Sequence, residues 1–136
     1  MVAGMALSPE TEEALERGRA LWNAARYYDA HEAWEEAWLR EEGQVRLLLQ
    51  GLIQAAAAYV KALEHLRPSG AAKLLAAALE RLSPLEDGFA GLRLAPFLAA
   101  LVVTRAEVER WLAGERSGID PGLAPRLERE GGGGGA

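Results

Sequence analysis

The stretch from residue 27 to residue 59 constrains the fold more than any other part of the chain. Its first half mixes aromatic and charged residues, and at about 100° per residue several of them share one face of a helix. These are Tyr27, His31, Trp34, Glu35 and Trp38. Because a face with two tryptophans favours burial, His31 and Glu35 are expected to be partly buried with them. From Val45 to Val60 the chain is apolar nearly all the way round, which is typical of a central, enclosed helix.

A tight break at Glu42-Gly43 separates the two halves, which are therefore predicted to pack as an antiparallel helical hairpin. The second helix is interrupted by a narrow polar stripe, made of Arg46, Gln50, Gln54 and Lys61. In the antiparallel register, Glu35 lies level with Gln50 and His31 lies level with Gln54. Buried polar groups need partners, because an unmet one costs roughly 1–3 kcal/mol. The sequence therefore predicts one interhelical polar cluster, made of His31, Glu35, Arg46, Gln50 and Gln54.

Composition and helix signals predict an all-α protein with a single domain. At 136 residues the chain can bury one core, and half of its residues are hydrophobic, with few β-branched residues among them. Ser8-Pro9 is a typical helix start and Ser69 is expected to cap a later helix. The predicted helices cover about residues 9–24, the two halves of 27–66, 70–82 and 96–113.

These helices are expected to form a bundle of about five around the central hairpin, over residues 1–114. A tail rich in glycine and proline follows over residues 115–136. Ile119, Leu123 and Leu127 are predicted to strap this tail onto the bundle in extended form. From Gly131 onwards the chain has no apolar side chain larger than alanine to bury, so its last residues are predicted to be mobile.

Charge and cysteine content limit the classes of partner and site. The net charge is −5 and spread over helix surfaces, which disfavours nucleic acid, whose phosphates need a concentrated basic face. The absence of cysteine excludes disulfides, thiolate metal sites and a cysteine nucleophile. No apolar run reaches about 18 residues and no leader pattern is seen, so we expect a cytoplasmic protein without membrane contact. The excess of arginine over lysine fits a thermophilic source or, equally, a GC-rich genome.

His31 and Glu35, one helical turn apart, are the candidate centre for metal-assisted or acid–base chemistry. A catalytic zinc needs three protein ligands, and the other histidine, His65, lies at the far end of its helix. We therefore expect no metal and no cofactor. If a metal were bound, His31 and Glu35 would be its ligands. Arg46 is expected about one turn from Glu35 and to pair with it. Aromatic residues beside the cluster are candidates to line a pocket, although such residues are more often core: Trp22, Trp34, Trp38 and Tyr27.

One combination of motifs resembles a known family. The segment from Trp22 to Trp38 contains His-Glu-x-x-Glu-x-x-Trp, and Gln50 to Gln54 reads Gln-Gly-Leu-Ile-Gln. Over about residues 10–82 this combination resembles the domain-of-unknown-function family three hundred and nine (DUF309). The resemblance implies a compact all-α domain of about five helices and supplies no activity. The family often has a histidine near Lys61, and its replacement by lysine here weighs against a metal site.

The sequence thus predicts a non-catalytic binding or interaction module. It is expected to form a homodimer and to use the hairpin region as its ligand or partner surface. The alternative is a small hydrolase-like or metal-assisted enzyme centred on His31 and Glu35. An enzyme needs the polar cluster open to a substrate pocket, whereas an interaction module can have it sealed.

Overall fold

The structure of the protein is a computed structural model that describes residues 7–131. Its five α-helices, named α1 to α5, are Pro9–Asn23, Tyr27–Trp38, Gly43–Tyr59, Pro68–Leu82 and Leu94–Leu112. The third helix continues as a π-helix, Val60–Glu64, and short 3-10 turns form at Phe89–Gly91 and Pro121–Leu123. The prediction of an all-α, single-domain bundle is therefore confirmed. The predicted mobility of the last residues concerns 132–136, which lie outside the described part of the chain.

The helix boundaries follow local signals in the sequence. The Ser8 side chain accepts a hydrogen bond from the Thr11 backbone N–H at 3.1 Å and so caps α1. Gly43 adopts a left-handed φ of 66° at the start of α3, a conformation that costs glycine little. At α4 the predicted cap is wrong. The helix begins at Pro68, with Arg67 as N-cap and no capping side-chain hydrogen bond, because proline is already suited to the first helical position.

Consecutive helices pack on one another, and α3 lies between α2 and α4. Trp22 occupies the middle of the core, with ring centroids of Tyr27, Tyr59 and Phe97 at 4.8, 5.4 and 5.2 Å. The alanine run in α3 faces inward, since Ala55, Ala56 and Ala58 are all buried. These small side chains therefore allow close helix packing inside the single bundle.

Two buried glycines let neighbouring helices approach closely. A Cβ atom on Gly18 of α1 would lie 2.1 Å from Nε1 of Trp34 in α2. A Cβ atom on Gly51 of α3 would lie 2.5 Å from Cγ of Leu82 in α4. Both positions therefore need glycine for packing, independently of backbone conformation.

The chain after α5 returns to cover α1. Leu127 is fully buried, and Ile119 packs partly buried against the core. The side chain of Asn23 accepts from the Leu127 N–H at 2.8 Å and donates to the Leu127 carbonyl at 3.1 Å. The indole N–H of Trp22 donates to the Pro125 carbonyl at 2.6 Å. The tail is thus held against the bundle by its backbone as well as by apolar contact, as a strap.

Candidate functional site

The contact between α2 and α3 fixes the register of the hairpin. The guanidinium of Arg46 lies over the Trp38 ring, 4.1 Å from its centroid. It also donates to the backbone carbonyls of Trp38 and Glu41, each at 3.3 Å. Arg46 and Trp38 therefore lie opposite each other, within one residue of the predicted antiparallel register. The predicted pairing of Arg46 with Glu35 is wrong, since no salt bridge joins them in residues 7–131.

Glu35 is exposed, which corrects the expectation that it is buried with the tryptophans. The face of α2 that turns toward the core carries three buried alanines, Ala30, Ala33 and Ala37, beside the buried Tyr27 and Trp34. Since each residue turns the helix by about 100°, Glu35 points about 140° away from Ala30. The tryptophans dominate the hydrophobic pattern of α2, because alanines carry a weaker hydrophobic signal even where they allow close packing.

His31 and Gln54 are both half-buried, but they do not bond to each other. The Nδ1 atom of His31 and the Oε1 atom of Gln54 are buried without a hydrogen-bond partner in the described residues. Positions four apart drift by about 40° per step around a helix, so Gln54 lies about 80° round α3 from Arg46. Lys61, two turns beyond Gln54, runs alongside Gly70 of α4, whose added Cβ would be 3.4 Å from Lys61 Cδ. The polar positions of α3 therefore do not lie along one line, and no hydrogen bond joins Gln54 to His31 in the described residues.

Gln50, between Arg46 and Gln54 on α3, is half-buried. At the two ends of the polar stripe, Arg46 packs on Trp38 of α2 and the Lys61 stem runs alongside Gly70 of α4. The five predicted cluster residues therefore share one hairpin and one approximate register, but within residues 7–131 they do not form one hydrogen-bonded network.

Three of the four candidate pocket residues belong to the core. Trp22, Trp34 and Tyr27 are buried, and the indole N–H of Trp34 donates to the Leu15 carbonyl at 3.1 Å. They cannot form the wall of an open pocket, because they pack on one another around Trp22. Only Trp38 is half-buried at the surface, and its Nε1 atom is buried without a hydrogen-bond partner in residues 7–131.

The exposure of two large apolar side chains near His31 and Trp38 was not predicted from the sequence. Leu39 is 70% exposed and Tyr28 is 53% exposed, and the Tyr28 ring stacks on His31 with centroids 5.8 Å apart. The adjacent pair Tyr27-Tyr28 was the available signal, because neighbouring side chains of a helix point about 100° apart and two large ones on an outer helix seldom both face the core. Together the outward residues of α2 form a surface that we call the hairpin face: Tyr28, His31, Glu35, Trp38 and Leu39.

The titratable groups near the core are affected by burial more than by charge. Burial raises the pKa of the Tyr59 hydroxyl well above its usual range, although its hydrogen bond with Thr104 at 2.8 Å partly opposes this. On the hairpin face, the carboxylate of Glu32 raises the pKa of Tyr28. Both hydroxyls are therefore neutral at physiological pH. Within residues 7–131, no three His, Asp or Glu side chains come together as a potential metal site.

Comparison with known proteins agrees with this geometry. Residues 15–74 match the family model described as "Domain of unknown function (DUF309)". This segment is similar to the DUF309 family. The DUF309 region starts within α1 and ends within α4, so it contains the whole α2–α3 hairpin. None of the curated proteins compared with the chain matches it. In the described residues, each helix is too short or too polar to cross a lipid bilayer.

Proposed function

We propose that this protein is a non-catalytic interaction module in which the hairpin face binds a second copy of the chain. The observation that carries the proposal is the pair of buried, unpartnered nitrogens on this face, Nδ1 of His31 and Nε1 of Trp38. Leaving such a group without a partner costs roughly 1–3 kcal/mol. Their presence at the edge of an open surface therefore favours a partner that supplies an acceptor for the indole N–H of Trp38 and a hydrogen-bonding group for Nδ1 of His31. A cytoplasmic location, predicted from the sequence, belongs to the same proposal.

Exposed apolar side chains also support the hairpin face as the binding surface. Tyr28 and Leu39 are separated by three helical turns, which places them about 16 Å apart along α2. Exposed aromatic and aliphatic side chains flanking half-buried polar ones are typical of a binding interface. Both side chains would lose solvent exposure against a second protein surface. A helix face of this length is within the reach of one partner helix or hairpin.

Charge supports a second copy of this chain as the partner. Glu35 is exposed and makes no salt bridge in the described residues, and Arg46 has backbone carbonyls and the Trp38 ring as its contacts but no carboxylate. The ion pair that the sequence predicted within one chain is therefore available between two chains. In a two-fold dimer this contact would occur twice, once on each side of the axis.

The non-catalytic part of the proposal rests on the lack of an orienting contact. A catalytic base is held in place by a hydrogen bond to a third group. His31 has a buried Nδ1 without such a bond, and the side chain of Glu35 projects into solvent. An interaction surface needs no such orientation before its partner arrives.

The test is the molar mass in solution, measured by light scattering from micromolar to submillimolar protein. The wild-type chain is expected to reach the mass of a dimer, and Leu39→Glu is expected to remain a monomer. Val103→Glu is the matched control, because Val103 is also a large exposed aliphatic residue, 52% exposed, but lies on α5. A wild-type protein that stays monomeric, or a dimer that only Val103→Glu dissociates, would contradict the proposal.

A charge exchange sharpens the test. Glu35→Arg is expected to weaken the dimer by like-charge repulsion with Arg46 of the second copy. Adding Arg46→Glu to the same chain should restore it, because both ion pairs are re-formed with reversed sign. If the double variant is no more dimeric than Glu35→Arg alone, this ion pair is not part of the interface.

A further inference from the structure

The end of α3 forms a surface cleft away from the hairpin face. The π-helix Val60–Glu64 widens the last turn, with the His65 N–H bonded to the Val60 carbonyl at 3.0 Å. The Arg67 N–H then bonds back to the Lys61 carbonyl at 2.8 Å, and Leu66 between them has a left-handed φ of 52°. This path of the backbone brings three basic side chains around one cleft of about 440 Å³: Lys61, His65 and Arg67.

The charge of this cleft is not neutralised within the described chain. None of the three lining side chains takes part in a salt bridge in residues 7–131, whereas Arg19 and Arg129, for example, pair with Glu16. Glu64 is the one acidic residue between positions 61 and 73, and it does not line the cleft. In a chain whose net charge is −5, a basic cleft without a carboxylate is a local reversal of sign. Such a cleft attracts anions.

The start of α4 adds hydrogen-bond donors on the same side. The first helical N–H groups have no partner within a helix, and Pro68 has no N–H at all. Ser69 and Gly70 therefore present free amides, and α4 has neither a capping side chain nor an acidic residue in its first turn. The Lys61 stem lies alongside Gly70, with its Cδ 3.4 Å from the position of an added Gly70 Cβ, so the start of α4 is next to the cleft that Lys61, His65 and Arg67 line. Positive charge and aligned N–H groups together are suited to a phosphate.

We propose that this cleft binds the phosphate group of a small phosphorylated molecule. Arg67 presents a planar fork that can hold two phosphate oxygens, Lys61 supplies a point charge, and His65 supplies a ring N–H. A long nucleic acid is a poorer fit, because Lys61, Arg67 and one imidazole at a single cleft do not form the extended basic track that follows a polyphosphate backbone. The cleft lies at the opposite end of α3 from the α2–α3 turn, and the proposal does not depend on self-association.

The test is a calorimetric titration of the folded protein with inorganic phosphate and, separately, with glycerol phosphate, at constant ionic strength balanced by chloride. Saturable binding of both is expected, and tighter binding of glycerol phosphate would identify an organic phosphate as the ligand class. Arg67→Gln and Lys61→Gln are each expected to weaken binding roughly tenfold, as for loss of one charge-assisted hydrogen bond. Lys73→Gln is the matched control, since Lys73 is exposed in the same segment but does not line the cleft.

A second readout keeps the test independent of any variant. In the wild-type protein, the backbone amide signals of Ser69 and Gly70 are expected to shift during the titration, with the midpoint seen by calorimetry. Leu39→Glu should bind phosphate as the wild type does, so a failure of the dimer leaves this site standing. Absence of saturable binding at millimolar phosphate, or an equal loss in Lys73→Gln and Arg67→Gln, would overturn the proposal, because the effect would then be general screening.

Discussion

Two tryptophan-containing regions of this molecule differ in whether their buried ring nitrogens have hydrogen-bond partners. In the core, the indole N–H groups of Trp22 and Trp34 each donate to a backbone carbonyl. On the hairpin face, Nε1 of Trp38 and Nδ1 of His31 have no partner in residues 7–131. Both regions contain large aromatic side chains, so composition does not explain the contrast. The difference lies in whether the chain itself completes the hydrogen bonding.

The contrast indicates which contacts stabilise the fold and which await a partner. The core indoles connect parts that are distant in sequence, since Trp22 bonds to the tail and Trp34 bonds to α1. Removing either bond leaves a buried group unmet and weakens the bundle. The Trp38 nitrogen already lacks a partner, so its removal costs the isolated chain little. This asymmetry can be measured.

The largest effect on stability is expected from adding a side chain where α1 and α2 approach most closely, at Gly18. In Gly18→Ala the new Cβ would fall 2.1 Å from Nε1 of Trp34, inside a core that has no room to move. We expect a loss of about 1–3 kcal/mol in the free energy of unfolding, measured by urea denaturation. Gly118→Ala is the control, because nothing lies within 4 Å of a Cβ atom added there. Equal stability of the two variants would show that Trp34 is not packed against α1.

A matched pair of substitutions compares the two regions directly. Trp34→Phe removes the indole that donates to the Leu15 carbonyl, and it should cost about 1–3 kcal/mol. Trp38→Phe removes an N–H that has no partner, and at concentrations where the protein is monomeric it should change stability by less than about 0.5 kcal/mol. Both are measured by the same urea denaturation. If Trp38→Phe is the more damaging of the two, its nitrogen is satisfied in the folded chain.

The smallest effect concerns the strap and depends on pH. Hydrogen bonding by Arg19, helped by Arg129 from the tail, holds the pKa of Glu16 below its usual range. The stabilisation is therefore present at neutral pH and is lost as the pH falls through the lowered pKa of the folded state. Because the side chains of Glu16 and Arg129 are 42% and 38% exposed, solvent screens their interaction, and Glu16→Gln should cost only about 0.2–1 kcal/mol at neutral pH. At a pH where the carboxyl group is protonated in both states, the variant and the wild type should unfold alike.

Much of the fold was predictable, because its signals are local. The Ser8 cap and the break at Gly43 both appear in the structure where the sequence placed them. The register of the hairpin was correct to within one residue, since a tight turn leaves two antiparallel helices little freedom. The apolar character of α3 predicted a central helix, and in the structure α3 lies between α2 and α4. The π-helix at Val60–Glu64 was not predicted, since its extra residue per turn leaves no mark in the hydrophobic pattern.

The candidate site was less predictable, because it depends on the rotation of each helix about its axis. A rotation of a helix by about 40° about its axis can move a side chain from the α2–α3 contact into solvent. The apolar pattern of the sequence does not resolve that angle. Ala30 and Ala37 set the rotation of α2, and they are less conspicuous than the tryptophans beside them. The basic cleft was missed for a different reason. Lys61, His65 and Arg67 come together only through the π-helix and the left-handed Leu66 that follow α3.

The contrast between the two regions is tested most directly by one nitrogen–proton correlation spectrum of the indole groups, recorded over a series of protein concentrations. The Trp38 signal is expected to shift as a second copy covers the hairpin face, while the signals of Trp22 and Trp34 stay in place. Trp111 on α5 serves as an internal reference outside the hairpin face, because it is half-buried there. A Trp38 signal that does not move with concentration, or a shift confined to Trp111, would contradict the assignment of the hairpin face as the interface.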